Sequence, residues 1–116
     1  MTIPEVLDFV VQKLGVISSE LDEIDAVLEL DLLESTGGSY QLIISKERIE
    51  WLAGKPLKTT CLIQVSEENF YKIIGGKLNP TKAFLTGKVK IEGDSSQLLK
   101  LQSILSKHIK EIPRVT

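Results

Sequence analysis

At 116 residues, 42% of them apolar and 26% charged, the chain has the length and composition of one globular domain, residues 1–116, with its own core. A net charge of −2 argues against a nucleic-acid binder, and no apolar run approaches the roughly 18–20 residues a transmembrane helix needs. Cys61 is the only cysteine and His108 the only histidine, which excludes an internal disulfide, a thiolate zinc site and a multi-histidine metal centre.

Ile3, Val6, Leu7, Val10, Val11 and Leu14 recur at three- and four-residue intervals and form one stripe of an amphipathic helix. Thr2 and Glu5 have capping-box spacing, Gly15 suits a left-handed closing residue, and Asp8, Gln12 and Lys13 fall on the water side. After an acidic connector over 18–22 the period changes to two. Ile24, Ala26, Leu28, Leu30 and Leu32 take one face of a half-buried strand, with Asp25, Glu29 and Asp31 on the other and an end near Ser35. Gly37-Gly38 is a turn, and residues 40–45 form an antiparallel partner strand.

Residues 46–54 suit either a short strand or one helical turn, and Gly54-Lys55-Pro56 is a turn. Residues 59–65 give a further strand containing Cys61, a small core residue with no base beside it in sequence. Ser66 caps a second helix, Glu67 and Glu68 suit its N-terminal dipole, Phe70, Ile73 and Ile74 form its apolar face, and Gly75-Gly76 ends it. Asn79-Pro80 restarts a helical turn that presents Ala83, Phe84 and Leu85 before Gly87. Lys88 to Ile91 alternate, with Val89 and Ile91 inward and Lys88 and Lys90 outward. Gly93-Asp94 ends that strand and caps the last helix, with Gln97 at the capping-box position. Leu98, Leu101, Leu105 and Ile112 run along one stripe of it, widened by Leu99, Ile104 and Ile109, until Pro113. The order predicts an α+β fold, an α/β sandwich whose mostly antiparallel sheet has helices covering one face. The early strands are joined by turns too short for βαβ crossovers.

No nucleophile elbow, Walker loop or dinucleotide fingerprint occurs, and His108 lacks a neighbouring partner for acid–base work, so neither enzymatic activity nor a cofactor is expected. Charge is uneven. Nine acids face Lys13 alone up to Glu34, whereas residues 69–91 hold five lysines (Lys72, Lys77, Lys82, Lys88, Lys90) and no acid. Such a fringe either balances the acidic third or attracts an anionic head group or membrane surface. The N-terminus lacks the basic start of a secretory signal, and Pro113-Arg114-Val115-Thr116 is not the peroxisomal Ser-Lys-Leu address, which points to the cytoplasm. The start at Met1 and the full set of elements suggest a free-standing chain.

Residues 75–94 read Gly-Gly-Lys-Leu-Asn-Pro-Thr-Lys-Ala-Phe-Leu-Thr-Gly-Lys-Val-Lys-Ile-Glu-Gly-Asp. This order resembles the central signature of the sterol carrier protein type 2 (non-specific lipid-transfer) family. There a helix ends in Gly-Lys-hydrophobic-Asn-Pro, an Ala-Phe pair follows, and Gly-Lys-hydrophobic-Lys-Ile opens the last strand. The likeness is sharpest over 61–105, weaker over 24–45 and poor over 45–60. It implies a five-stranded sheet with helices over one side and an apolar tunnel between them. It also implies binding, and by extension intracellular transfer, of a fatty acid, fatty acyl-CoA, phospholipid or sterol-like cargo. No catalytic or metal-binding residue is implied. By position and apolar character the lining would be Phe70, Ile73, Ile74, Phe84, Leu85, Leu98, Leu101, Ile104 and Leu105, with Lys77 and Lys82 near a head group. The alternative on the same fold is a non-catalytic interaction or accessory module with its cavity collapsed, self-associating as a homodimer or serving a partner. The small residues Ala53 and Ala83 lean toward an open cavity.

Overall fold

The computed structural model describes residues 2–33, 38–75 and 77–108, without the side chains of Pro80, Leu105, Ser106 and His108. The expected turn at Gly37, the strand end at Ser35, the helix stop at Gly76 and the stripe residues Ile109 and Ile112 with Pro113 lie outside the described residues.

Helix α1 (Ile3–Val16) begins with the expected capping box. Glu5 N–H donates to Thr2 Oγ1 at 3.3 Å and Thr2 N–H donates to Glu5 Oε1 at 2.9 Å. Two otherwise orphaned donors are thereby satisfied, and the bonds from Thr2 hold the Glu5 carboxyl below its ordinary pKa. Gly15 does not close the helix. The chain continues through Val16 to a cap at Ile17 with φ −106°, because a 3-10 turn, Ser18–Leu21, follows directly and carries Leu21 and Ile24 into the core.

Five strands follow: β1 (Ala26–Leu33), β2 (Ser39–Ile44), β3 (Ile49–Ala53), β4 (Cys61–Ser66) and β5 (Val89–Gly93). The segment left open between strand and helical turn is therefore a strand. The sheet order is β3-β2-β1-β4-β5. Three pairings are antiparallel, and the central β1–β4 pair is parallel, with Leu28 opposite Cys61 and Leu32 opposite Val65. The sheet is mostly antiparallel, as expected, and the parallel pair arises without a βαβ unit: the chain between its strands forms β2 and β3.

The register sorts side chains onto two faces. Ala26, Leu28, Leu30 and Leu32 share a face with Tyr40, Leu42 and Ile44, with Cys61, Ile63 and Val65, and with Val89 and Ile91. Every sheet residue in the main hydrophobic cluster belongs to this inner face, and it meets Val6, Val10 and Leu14 of α1. A fully buried Val, Leu or Ile contributes about 1.5–3 kcal/mol relative to exposure, so this layer dominates folding. The seam between α1 and edge strand β3 carries one polar tie, Trp51 Nε1–H donating to Asp8 Oδ1 at 2.7 Å. Asp8 is thus engaged, not merely solvated.

The outer face departs from expectation. Asp25 is exposed, but Glu29 is only 8% exposed and Gln41 is fully buried. Residues 54–60 cross over them. Gln41 Nε2–H donates to the Leu57 carbonyl at 2.7 Å and to Thr59 Oγ1 at 3.2 Å, while Leu57 N–H donates to Gln41 Oε1 at 3.0 Å. Thr59 Oγ1–H donates to Glu29 Oε1 at 2.6 Å, and Lys55 Nζ lies 3.5 Å from Glu29 and 3.6 Å from Asp31. Burial of these polar groups is tolerated because each is paired.

Helix α2 (Glu67–Ile74) is capped by Ser66, whose Oγ accepts from Asn69 N–H at 3.1 Å. Helix α3 (Pro80–Leu85) is capped by Asn79, whose Oδ1 accepts from the N–H groups of Thr81 and Lys82. Helix α4 (Ser95–His108) follows β5. Asp94 Oδ1 accepts from Ser96 N–H at 3.0 Å and from the Ser96 hydroxyl, bonds that hold its carboxyl below the ordinary range. The reciprocal half of the expected capping box does not form. Asp94 N–H donates instead to the Thr60 carbonyl at 3.1 Å, and Gln97 Oε1 is buried with no hydrogen-bond partner. Leu99, expected on the apolar arc, is 44% exposed.

Gly93 has φ +97°, and a Cβ there would press on the Thr60 carbonyl oxygen and backbone. Gly93→Ala is therefore expected to cost about 2–4 kcal/mol in urea unfolding, through both strain and displacement of β5. Gln41→Ala should cost about 1.5–3 kcal/mol and make residues 54–60 a preferred site of limited proteolysis, since three anchoring bonds are lost.

Candidate functional site

The inner face is not uniformly sealed. Across one register row, Leu30 of β1 is 7% exposed, but its neighbours Ile63 of β4 and Ile91 of β5 are only partly buried. Ile63 has a strand on each side, so solvent reaches it only through the helix layer above. The apolar groups in that layer are partly buried as well: Ile73, Ile74 and Tyr71 of α2, Leu78 ahead of α3, and Leu98 and Ile104 of α4. Phe70 and Leu101 are buried at 8% and 3% exposure. The result is an apolar layer that covers Cys61, Val65 and Val89 fully and Ile63 and Ile91 only in part.

Of the expected lining residues, Phe70, Ile73, Ile74, Leu98, Leu101 and Ile104 all belong to the inner-face cluster. The Leu105 side chain lies outside the described residues. Phe84 and Leu85 do not join the layer: they are 48% and 76% exposed. A six-residue helix offers few inward positions, and in α3 that position is taken by Ala83, which is fully buried. The room expected at the two alanines is also absent, since Ala83 is packed and Ala53 lies exposed at a strand end. Lys77 and Lys82 are exposed and form no ion pair among the described residues, whereas Lys72 pairs with Glu68 at 3.4 Å and Lys90 with Glu92 at 3.3 Å.

Ile63, Tyr71 and Leu78 are members of the layer that sequence reasoning did not single out, and Ile91, placed inward by alternation, was not counted in the lining. The two isoleucines were accessible to it through strand alternation; Leu78, in a non-repetitive connection, carried no periodic signal. Tyr71 Oη–H donates to Glu67 Oε1 at 3.5 Å, and burial, then the Glu67 charge, raises its pKa. Burial likewise raises the Cys61 thiol, with Asp94 adding to the effect. Among the described residues no group of three His, Cys, Asp or Glu side chains converges on a metal-sized site.

The sequence profile of the SCP-2 sterol transfer family matches residues 12–106. The chain belongs to that family. Hydroxysteroid dehydrogenase-like protein 2 of Xenopus tropicalis is 32% identical over 105 residues, which cover 76% of this chain and 25% of that protein. The chain thus spans about a quarter of the length of the curated relatives it matches first. Among solved structures, the sterol carrier protein domain 2 of Helicoverpa armigera superposes with a TM-score of 0.73 at 23% identity, covering 96% of this chain and 91% of the other. Palmitated SCP2L2 of Aedes aegypti superposes with a TM-score of 0.71 at 18% identity, covering 97% and 100%. These likenesses establish the SCP-2 fold; the identities are too low to carry side-chain roles.

The Cys61 thiol lies fully buried beneath the SCP-2 helix layer with its pKa raised, so it should remain a protonated thiol at pH 8. Its modification by a disulfide reagent is expected to be at least about tenfold slower than that of a free cysteine and to accelerate to the free rate in denaturant.

Proposed function

We propose that this chain binds a single lipid between the inner face of the sheet and helices α2 and α4, and carries it through water. The observation behind this reading is the partial exposure of Ile63 and Ile91 beneath a helix layer whose own side chains are apolar. Incompletely covered aliphatic groups on the inner face suit an acyl chain or ring system. Each buried methylene of such a cargo contributes about 0.8 kcal/mol, so ten give about 8 kcal/mol before ordering costs.

In this reading Phe70, Ile73, Ile74, Leu98, Leu101 and Ile104 desolvate the cargo together with Ile63 and Ile91. Lys77 and Lys82 meet the carboxylate or phosphate of a fatty acid, fatty acyl-CoA or phospholipid. The palmitated state of the Aedes aegypti relative makes an acyl chain the first ligand to test, with a sterol, which the family description names, as the second. The reading assigns no catalytic group and no cofactor to the chain, and places its work in the cytoplasm. The greater length of the dehydrogenase-like relatives favours a second setting for the same chemistry: presenting lipid to a separate or attached enzyme.

Lipid extraction and native mass spectrometry of the purified chain should find a co-purified acyl lipid. Ile63→Trp occupies the cargo space in this reading. It should lower loading at least about tenfold while changing stability by less than about 1.5 kcal/mol, because the added bulk enters space that is not packed. Apo protein alone in native spectra, together with a destabilisation of several kcal/mol by Ile63→Trp, would mark the layer as closed core.

A further inference from the structure

Helix α3 commits one residue to the core and turns its apolar pair outward. Ala83 is fully buried. At about 100° per residue, Leu85 lies about 200° round the helix from Ala83, with Phe84 and Lys82 about 100° to either side. The exposures of 48% for Phe84 and 76% for Leu85 fit that geometry. An aromatic and an aliphatic side chain thus form one apolar tip on the surface.

Three lysines without an ion pair among the described residues lie on α3 or flank it in sequence. Lys82 stands on α3 itself, Lys77 precedes it, and Lys88 follows it, with its N–H donating to the Ala83 carbonyl at 2.8 Å. All three are exposed and carry no ion pair among the described residues, and no acid occurs over residues 69–91. Four lysines elsewhere are paired, Lys55 with Glu29 and Asp31, Lys72 with Glu68, Lys90 with Glu92 and Lys100 with Glu23. Lys46, Lys58 and Lys107 are exposed without an ion pair among the described residues, but none of them flanks an exposed aromatic–aliphatic pair.

We propose that the α3 tip docks on an anionic bilayer, with Phe84 and Leu85 entering the interfacial zone and Lys77, Lys82 and Lys88 meeting lipid phosphates and carboxylates. Charge complementarity favours this occupant, and so does size. Two side chains fall far short of the roughly 800 Å² per partner that a stable protein interface buries. A lipid headgroup region accepts a small apolar point with a basic rim, and holds it reversibly. Docking of this kind does not require cargo, so its outcome is separate from that of the lipid-carrying reading.

The test is sedimentation of the full chain with phosphatidylcholine vesicles, with and without phosphatidylserine, at low salt and at about 0.5 M salt. Binding is expected only with phosphatidylserine and is lost at high salt. The double variant Phe84→Ser/Leu85→Ser should weaken it about tenfold or more. Lys82→Glu/Lys88→Glu should weaken it by at least about fivefold per charge. All four positions are exposed, so both variants should melt within a few degrees of the parent, and the charge variant tests docking without touching apolar groups. Absent binding, equal binding to both vesicle types, or parental binding by either variant would overturn the proposal. So would a concentration-dependent dimer in gel filtration that Phe84→Ser/Leu85→Ser abolishes, which would make the tip a contact between copies.

Discussion

The parallel pairing of β1 with β4 is the constraint on which the remaining architecture depends. β3 ends at one edge of the sheet, two strands away from β1's free side, yet β4 must begin beside Leu28 and run in the direction of β1. Residues 54–60 therefore have to cross β2 and β1, and only two surfaces are available. The bonds from Gln41 and Glu29 to Leu57 and Thr59 show that the crossing takes the outer one. This route leaves the inner face free for four helices. It also explains why the outer face buries a glutamine and a glutamate where simple alternation gives water-facing positions.

The two faces accordingly solve opposite problems. On the outer side, polar groups lose water and recover it as hydrogen bonds and an ion-paired lysine, so little is gained in net energy but the path of the chain becomes unique. On the inner side, aliphatic burial supplies the stability, with Val6, Val10 and Leu14 of α1 in one cluster with the β1 leucines. Over β4 and β5, Cys61, Val65 and Val89 are fully covered and Ile63 and Ile91 only in part. Each methylene left partly uncovered there forfeits some transfer energy.

Much of this was legible in the residues themselves. The helical stripe of Ile3 to Leu14 and the alternation of Ile24 to Leu32 were clear, because each runs long enough for a period to show. Ser66 and Asn79 announced helix starts through local chemistry that needs no tertiary context. What could not be read came from partners distant in sequence. Glu29 is buried by Thr59, thirty residues on, and Gln97 loses its capping role because Thr60 takes the Asp94 N–H first. Gly15 was overruled by the 3-10 turn that follows it. Phe84 and Leu85 stand exposed for a different reason: six helical residues contain less than two turns, too few for an apolar face to be distinguished from an apolar tip.

The Trp51–Asp8 bond gives the molecule an optical asymmetry. Trp51 is the only tryptophan, and its indole N–H is held at the α1–β3 seam, with the Tyr40 ring edge-on at 5.8 Å between centroids. That seam lies at the opposite edge of the sheet from β5. Intrinsic emission therefore reports whether α1 is seated on the edge strand and whether its carboxylate partner is in place. It is comparatively blind to what happens beneath α2 and α4. A silent emission spectrum on adding a lipid would describe the position of the chromophore, not the occupancy of the layer.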